Sequence, residues 1–267
     1  MNFANSLKYL GVASKAPMLL YDDLLVRFDT FAVSTKAMFS EKLFRYYKEL
    51  QPPANLPKGV EVLFPQKDKQ VMEIVKEFFE KYFNTNNSRR LMLGINPGRF
   101  GAGITGVNFT APKQLKEFCG IDHHFKSSSE LSAEFIYDMI AEYGGPEKFY
   151  QDWFIGAVCP LGFTASPSPS KGGVKNINYY DDKKLLEAVT PFIVDCISKQ
   201  MAMGFNRDRC LCIGGEKNFK FLSGLNNEHK WFDQIIPLPH PRFILQYRRK
   251  QKDKYIHQYL SALRFAG

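Results

Sequence analysis

No stretch of this 267-residue chain supplies the ~18 consecutive apolar residues that read as a membrane span. The opening residues, MNFANSLKYLGVASKAPML, also lack the apolar core and small-residue cleavage pattern of a secretory signal. Cysteine is sparse: Cys119, Cys159, Cys196, Cys210 and Cys212 are odd in number and never spaced C-x-x-C. Three of them sit in apolar runs, as buried, reduced thiols of a cytoplasmic protein would. Cys210 and Cys212 point to one face of a strand with no further ligands nearby in sequence, so no metal is expected. The glycine-rich stretch LGINPGRFGAGITGVNF (93–109) has no lysine in the position a P-loop requires, which disfavours a nucleoside triphosphatase.

Charge and aromatic rings are present in quantity. With 36 Lys and Arg against 27 Asp and Glu the net charge is +9, which favours a polyanionic partner, and the 24 Phe and 13 Tyr can pack a core or stack on bases. Four short apolar runs, RRLMLGIN (89–96), DWFIGAVCP (152–160), RCLCIGG (209–215) and FDQIIPLPHP (232–241), are bounded by polar, Gly or Pro residues in the manner of buried strands. Helical periodicity marks 68–83, 129–143 (opening on a serine run that can cap), 181–203 and a last helix from about 247 to 263. Strands alternating with helices predict a three-layer α/β/α sandwich around a four-stranded parallel sheet. Residues 1–40 are expected to form an amino-terminal helical extension, and 41–267 the catalytic domain.

In open parallel sheets ligands bind beyond the carboxyl ends of the strands. The residues just after each run are NPGRFGAG, CPLGFTASPSPSKGG, GGEKNF and PHPRF. Asn96 stands where a strand ends and can orient a water; Phe109, across the loop, can cover a flat ligand. His240, between two prolines, is presented from a stiff turn that serves either structure or chemistry. Arg242, Arg248, Arg249 and Lys250 can neutralise phosphates or form a solvated helix face, with Phe243 and Tyr247 as apolar wedges. Thr164–Gly173 (TASPSPSKGG), with Lys171, suits a phosphate backbone or an idle surface loop.

Taken in order, GINPGRFG with TGVNF, then VCPL, then PHPR, the chain resembles the uracil-DNA glycosylase superfamily, and within it the single-strand-selective monofunctional branch and a bacterial subgroup. The likeness runs from about Ser40 to the carboxyl end. It implies that Asn96 positions the water and that His240 donates to the base O2 as charge builds on the departing ring. It further implies that Phe109 stacks on the flipped base, that backbone around Ile95 and Gly98 contacts it, and that Arg242 to Tyr247 occupy the place of a minor-groove wedge. The loop glycines then form a backbone wall for the flipped ring. No Asp or Glu in that loop and no identifiable Schiff-base lysine point to a monofunctional enzyme needing no cofactor.

Two departures matter. Ala157 stands where the family has the Asn that reads the Watson–Crick edge of uracil, and Asn108 and Asn176 are candidates to replace it. The family's H-P-S-P-R is here His240-Pro241-Arg242-Phe243. The expected function is a monomeric DNA-repair glycosylase of the bacterial cytoplasm and nucleoid, acting on single- or double-stranded DNA, with uracil as the default base. A catalytically weak nucleic-acid-binding protein and a nucleoside or nucleotide hydrolase are the alternatives.

Overall fold

The computed structural model describes residues 37–126, 128, 130–165 and 173–264. The expected extension up to residue 36, the cap at Ser129 and most of the Thr164–Gly173 loop, Lys171 included, lie outside the described residues. The four apolar runs form β2 (Arg90–Gly94), β3 (Trp153–Ala157), β6 (Arg209–Ile213) and β7 (Gln234–Leu238), paired in the parallel order β3-β2-β6-β7. Successive strand side chains point to opposite faces, yet all of β3 and Leu91 to Gly94 of β2 are buried, so helices cover the sheet on both sides. This is the expected three-layer arrangement.

A second sheet was not anticipated. β1 (Val60–Leu63), β4 (Gly162–Ala165) and β5 (Lys175–Ile177) pair antiparallel in the order β1-β4-β5. Strands of three or four residues give too little alternation to be read as such. Their placement matters because β4 and β5 bring the segment after Ile177 to the carboxyl edge of the main sheet.

Helix α2 (Lys69–Phe83) starts where the Asp68 carboxylate accepts from Gln70 N (2.7 Å) and Val71 N (3.3 Å), and it buries Val71, Val75, Phe78, Phe79, Tyr82 and Phe83. It packs on α1 (Phe39–Lys48), whose Phe39, Leu43, Tyr46 and Tyr47 are part of the same core. Elsewhere α5 (Leu131–Tyr143) packs against α9 (Pro241–Tyr247) and α10 (Lys252–Arg264). The last helix expected from about Tyr247 is α10, and α9 is an unanticipated helix ahead of it, the two helices being joined by a 3-10 turn at Arg249–Gln251. The first of them begins immediately after His240, because Pro241 is suited to the first helical position.

Arg89, at the foot of β2, is completely buried. Its guanidinium donates to Tyr150 O (2.8 Å), Asn87 O (2.8 Å), Tyr82 O (3.3 Å) and Thr85 Oγ1 (2.8 Å), and lies between the rings of Phe39 and Phe83. Burial pushes its pKa down, an effect opposed by the charge of Asp152, the last residue of α6 (Pro146–Asp152). Arg89→Met would take this donor from the buried carbonyls of Tyr82 and Tyr150, each loss costing about 1–3 kcal/mol. We expect urea unfolding to show a loss of about 3 kcal/mol or more; an unchanged midpoint would remove Arg89 from this role.

Candidate active site

The carboxyl edge of the parallel sheet holds a cleft of about 390 Å³, within the usual range of about 300–1,000 Å³ for small-ligand sites. Gly94 ends β2, opposite Ala157 in the register with β3, and both line the cleft. A Cβ on Gly94 would stand 2.6 Å from Cε2 of Phe109, so the bare backbone is what lets that ring lie on the strand end. Phe109 itself holds φ at +53°, unusual for a residue with a side chain, and so is turned back over the strand. Its neighbour Asn108 donates to the Tyr47 hydroxyl at 3.2 Å.

Only Gly94 and Gly98 of the loop glycines line the cleft. Gly101, Gly103 and Gly106 do fall at G-x-G-x-x-G spacing, but the helix they open, α3 (Ala102–Thr105), is a single turn. It closes with Gly106 in the left-handed region (φ +74°) against Val71 and Val75. They shape that turn rather than a dinucleotide cradle or the wall expected for a flipped ring.

Asn96 follows two residues after Gly94. Its Oδ1 accepts from Tyr179 N (3.1 Å) and its Nδ2 donates to Ile177 O (3.3 Å). Backbone therefore fixes which end of the carboxamide is which: a flip would set NH₂ against N–H and oxygen against carbonyl. The second lone pair of Oδ1 remains for a further donor, such as a water.

His240 caps α9: its Nδ1 accepts from Arg242 N at 3.1 Å. A neutral ring that accepts at Nδ1 carries its proton on Nε2, as a donor. Burial, with the Arg242 charge adding to it, lowers the His240 pKa to about 4, so the ring is neutral near pH 7. The His240 and Phe109 rings stand 6.1 Å apart, centroid to centroid, at 43°.

The structure also gathers Ile95, Asn176, Arg242, Phe243 and Tyr247 around the cleft. Asn176 accepts from Arg99 N at 3.3 Å. Phe243 and Tyr247 are 43% and 60% exposed and face each other at 5.6 Å. They lie on α9, ahead of the position near Tyr247 where the last helix was expected to start. Arg248 and Arg249 do not line the cleft; Arg248 lies over the Phe243 ring, and Arg249 pairs with Glu134 at 3.2 Å.

Sequence reasoning missed Glu130, Ser132, Asn178 and Gln246, which also line the cleft. Glu130, just ahead of α5, bridges to Arg242 at 2.9 Å, so the one carboxylate among the described lining residues is already paired. Nothing in its local sequence signals this. Gln246 was findable: Phe243, Gln246 and Tyr247 share one face of a helix at i, i+3 and i+4.

Among the described residues no helix is long and apolar enough to cross a membrane. The family profile of the Uracil DNA glycosylase superfamily matches residues 80–264. The crystal structure of wild-type SMUG2 from Pedobacter heparinus is similar at 46% sequence identity and a TM-score of 0.81, over 84% of this chain and 96% of that one. A search of curated proteins returned no match. With the parallel sheet, the GINPG loop and the PHP turn converging on one cleft, the chain belongs to the uracil DNA glycosylase superfamily and is a DNA glycosylase, a hydrolase of the N-glycosidic bond.

Proposed function

We propose that the enzyme is a monofunctional repair glycosylase that takes a deaminated base, uracil in the first instance, out of the DNA stack and releases it by hydrolysis. The observation that carries this reading is the presence of an oriented Asn96 carboxamide and a neutral His240 in the lining of one cleft with the Phe109 ring. As the C1′–N bond breaks, its electron pair passes to the base and C1′ becomes an oxocarbenium-like centre. Asn96 Oδ1 holds the water whose oxygen bonds to C1′, and the water's proton goes to solvent. His240 Nε2–H donates to the base O2, where negative charge accumulates. Phe109 covers the extruded ring. Glu130 is held by Arg242 and is not needed as a base.

Five buried free thiols suit the reducing bacterial cytoplasm, where nucleoid DNA is the substrate. On the DNA-facing rim, Phe243 and Tyr247 offer exposed rings to offset the few kcal/mol of base extrusion, and Arg248 offers a charge for phosphate.

Asn96→Ala and His240→Ala are each expected to slow single-turnover release of uracil by about 10²-fold or more, read as alkali-labile sites in an oligonucleotide. Full activity in both overturns the assignment. Because His240 stays neutral down to about pH 4, the wild-type rate should hold between neutral pH and about pH 5 and fall as the ring is protonated. Unfolded chains take up that proton near pH 6.5, so stability should decline as pH falls from about 6.5 toward 4, a slope that His240→Gln removes.

At the base edge, Ala157 offers a methyl group where a carboxamide would discriminate. A panel of uracil, hydroxymethyluracil, xanthine and hypoxanthine should show release of more than one base, and Ala157→Asn should shift the ratio toward uracil. An unchanged ratio would take Ala157 out of base selection. For the polymer contact, Arg248→Ala should flatten the plot of log affinity against log salt by about one unit. A slope unchanged by this substitution would move the phosphate contact elsewhere.

A further inference from the structure

The GGEKNF segment after β6 has no part in the reaction as described, yet it leads into the centre of the site's support. Gly214 adopts φ +139°, and a Cβ there would stand 2.5 Å from Ile95 Cγ1. The chain thereby enters α8 (Gly215–His229) tight against the loop that carries Asn96. Four residues on, Asn218 is completely buried. Its Nδ2 donates to Ile213 O at 2.9 Å and approaches Gly94 O at 3.5 Å and Cys212 Sγ at 3.3 Å. Its Oδ1 accepts from the Tyr179 hydroxyl at 2.6 Å.

Tyr179 is also completely buried, and its ring packs on Phe221 of α8. Its backbone N–H is the donor to Asn96 Oδ1, and Ile177, two residues earlier, supplies the carbonyl that receives Asn96 Nδ2. A closed circuit results: β2 leads from Gly94 to Asn96, Asn96 is gripped by residues 177 and 179, Tyr179 is tied to Asn218, and Asn218 returns to the ends of β2 and β6. The segment needs that tie, because β5 ahead of it has only three residues, two of them exposed.

We propose that Tyr179 and Asn218 are positioning residues that set the orientation of the Asn96 carboxamide toward the attacking water; this rests on the water-holding role of Asn96 given above. The Tyr179 hydroxyl anchors the 177–179 segment, and that segment aims Asn96. Burial raises the Tyr179 pKa, so the hydroxyl remains a donor throughout the working pH range. Losing the anchor lets the segment drift, and displacements of about 1 Å can cost up to about 10²-fold in rate.

A double-mutant cycle tests this in the full chain with uracil-containing DNA. Tyr179→Phe keeps the buried ring and removes only the hydroxyl. We expect its single-turnover rate to fall roughly ten- to hundredfold, with DNA affinity unchanged. The same substitution in an Asn96→Ala background should have no further effect, whereas with His240→Ala its effect should multiply. Asn218→Ala breaks the link from the other end, and the Tyr179→Phe/Asn218→Ala pair should lose no more than the more severe single variant. Thermal unfolding of each variant shows whether it is folded at the assay temperature, and either link variant suffices for the cycle. A normal rate, or an equal loss with and without Asn96, overturns the positioning role while leaving that of Asn96 intact. Full activity of Asn96→Ala overturns both.

Discussion

A guanidinium buried with no carboxylate of the described residues in salt-bridge reach sets the base of the sheet. Arg89 is satisfied by the carbonyls of Tyr82, Asn87 and Tyr150 and the hydroxyl of Thr85, so one side chain ties the end of α2, the approach to β2 and the end of α6. Such a group is tolerated only when its donors are used, and its planar fork can meet several acceptors at once. β2 lies between β3 and β6, and its five residues end at Gly94. With its foot fixed and both edges paired, its carboxyl end can vary little, and that end places Asn96. Stability and chemistry thus occupy opposite ends of one strand.

At that far end the proposed chemistry relies on neutral groups. His240 is uncharged, the carboxamide of Asn96 is held by backbone, and the charges of Glu130 and Arg242 are spent on each other. A departing base anion can be stabilised by an oriented N–H donor without a full positive charge, and a pre-set donor costs no reorganisation as the bond breaks. A paired Glu130 also leaves no bare carboxylate facing that anion. The positive charge that would attract DNA sits outside the cleft, with Arg248 on the end of α9. On the proposed reading, attraction of the polymer and stabilisation of the leaving group are therefore served by different residues.

Three of the central strands, β2, β3 and β6, were legible because each is an apolar run buried on both faces, a pattern with few other solutions in an α/β chain, whereas the edge strand β7 is partly exposed and was read from its apolar run alone. The same rule, that sites follow strand ends, led to Asn96, Phe109 and His240. What stayed hidden was long-range. Glu130 reaches Arg242 across 112 residues of sequence, Asn218 reaches Tyr179 across 39, and neither pairing leaves a periodicity to detect. The β1-β4-β5 sheet is built from strands too short to alternate visibly. Helix α9 was masked by its prolines: Pro241 was read as turn stiffness, when at the first position of a helix it is equally at home.

Ala157 and Gly94 are register partners at the floor of the cleft, and together they present one methyl group. That floor offers no side-chain hydrogen bond to a base edge, which leaves such contacts to the Asn108 and Asn176 carboxamides that also line the cleft. What it offers instead is depth, bounded by the Phe109 ring on one side and by backbone at Ile95 and Gly98 on another. Discrimination by shape separates bases differing by a methylene-sized group only modestly, by about 10–200-fold, whereas a dedicated hydrogen-bonding group reaches about 10⁴–10⁵-fold. A repair enzyme that meets several deamination products gains range from such a floor, provided the cost of extruding a correctly paired base keeps undamaged DNA out of the cleft. On the proposed reading, selection rests on the ease of extrusion together with the carboxamides of Asn108 and Asn176 that line the cleft.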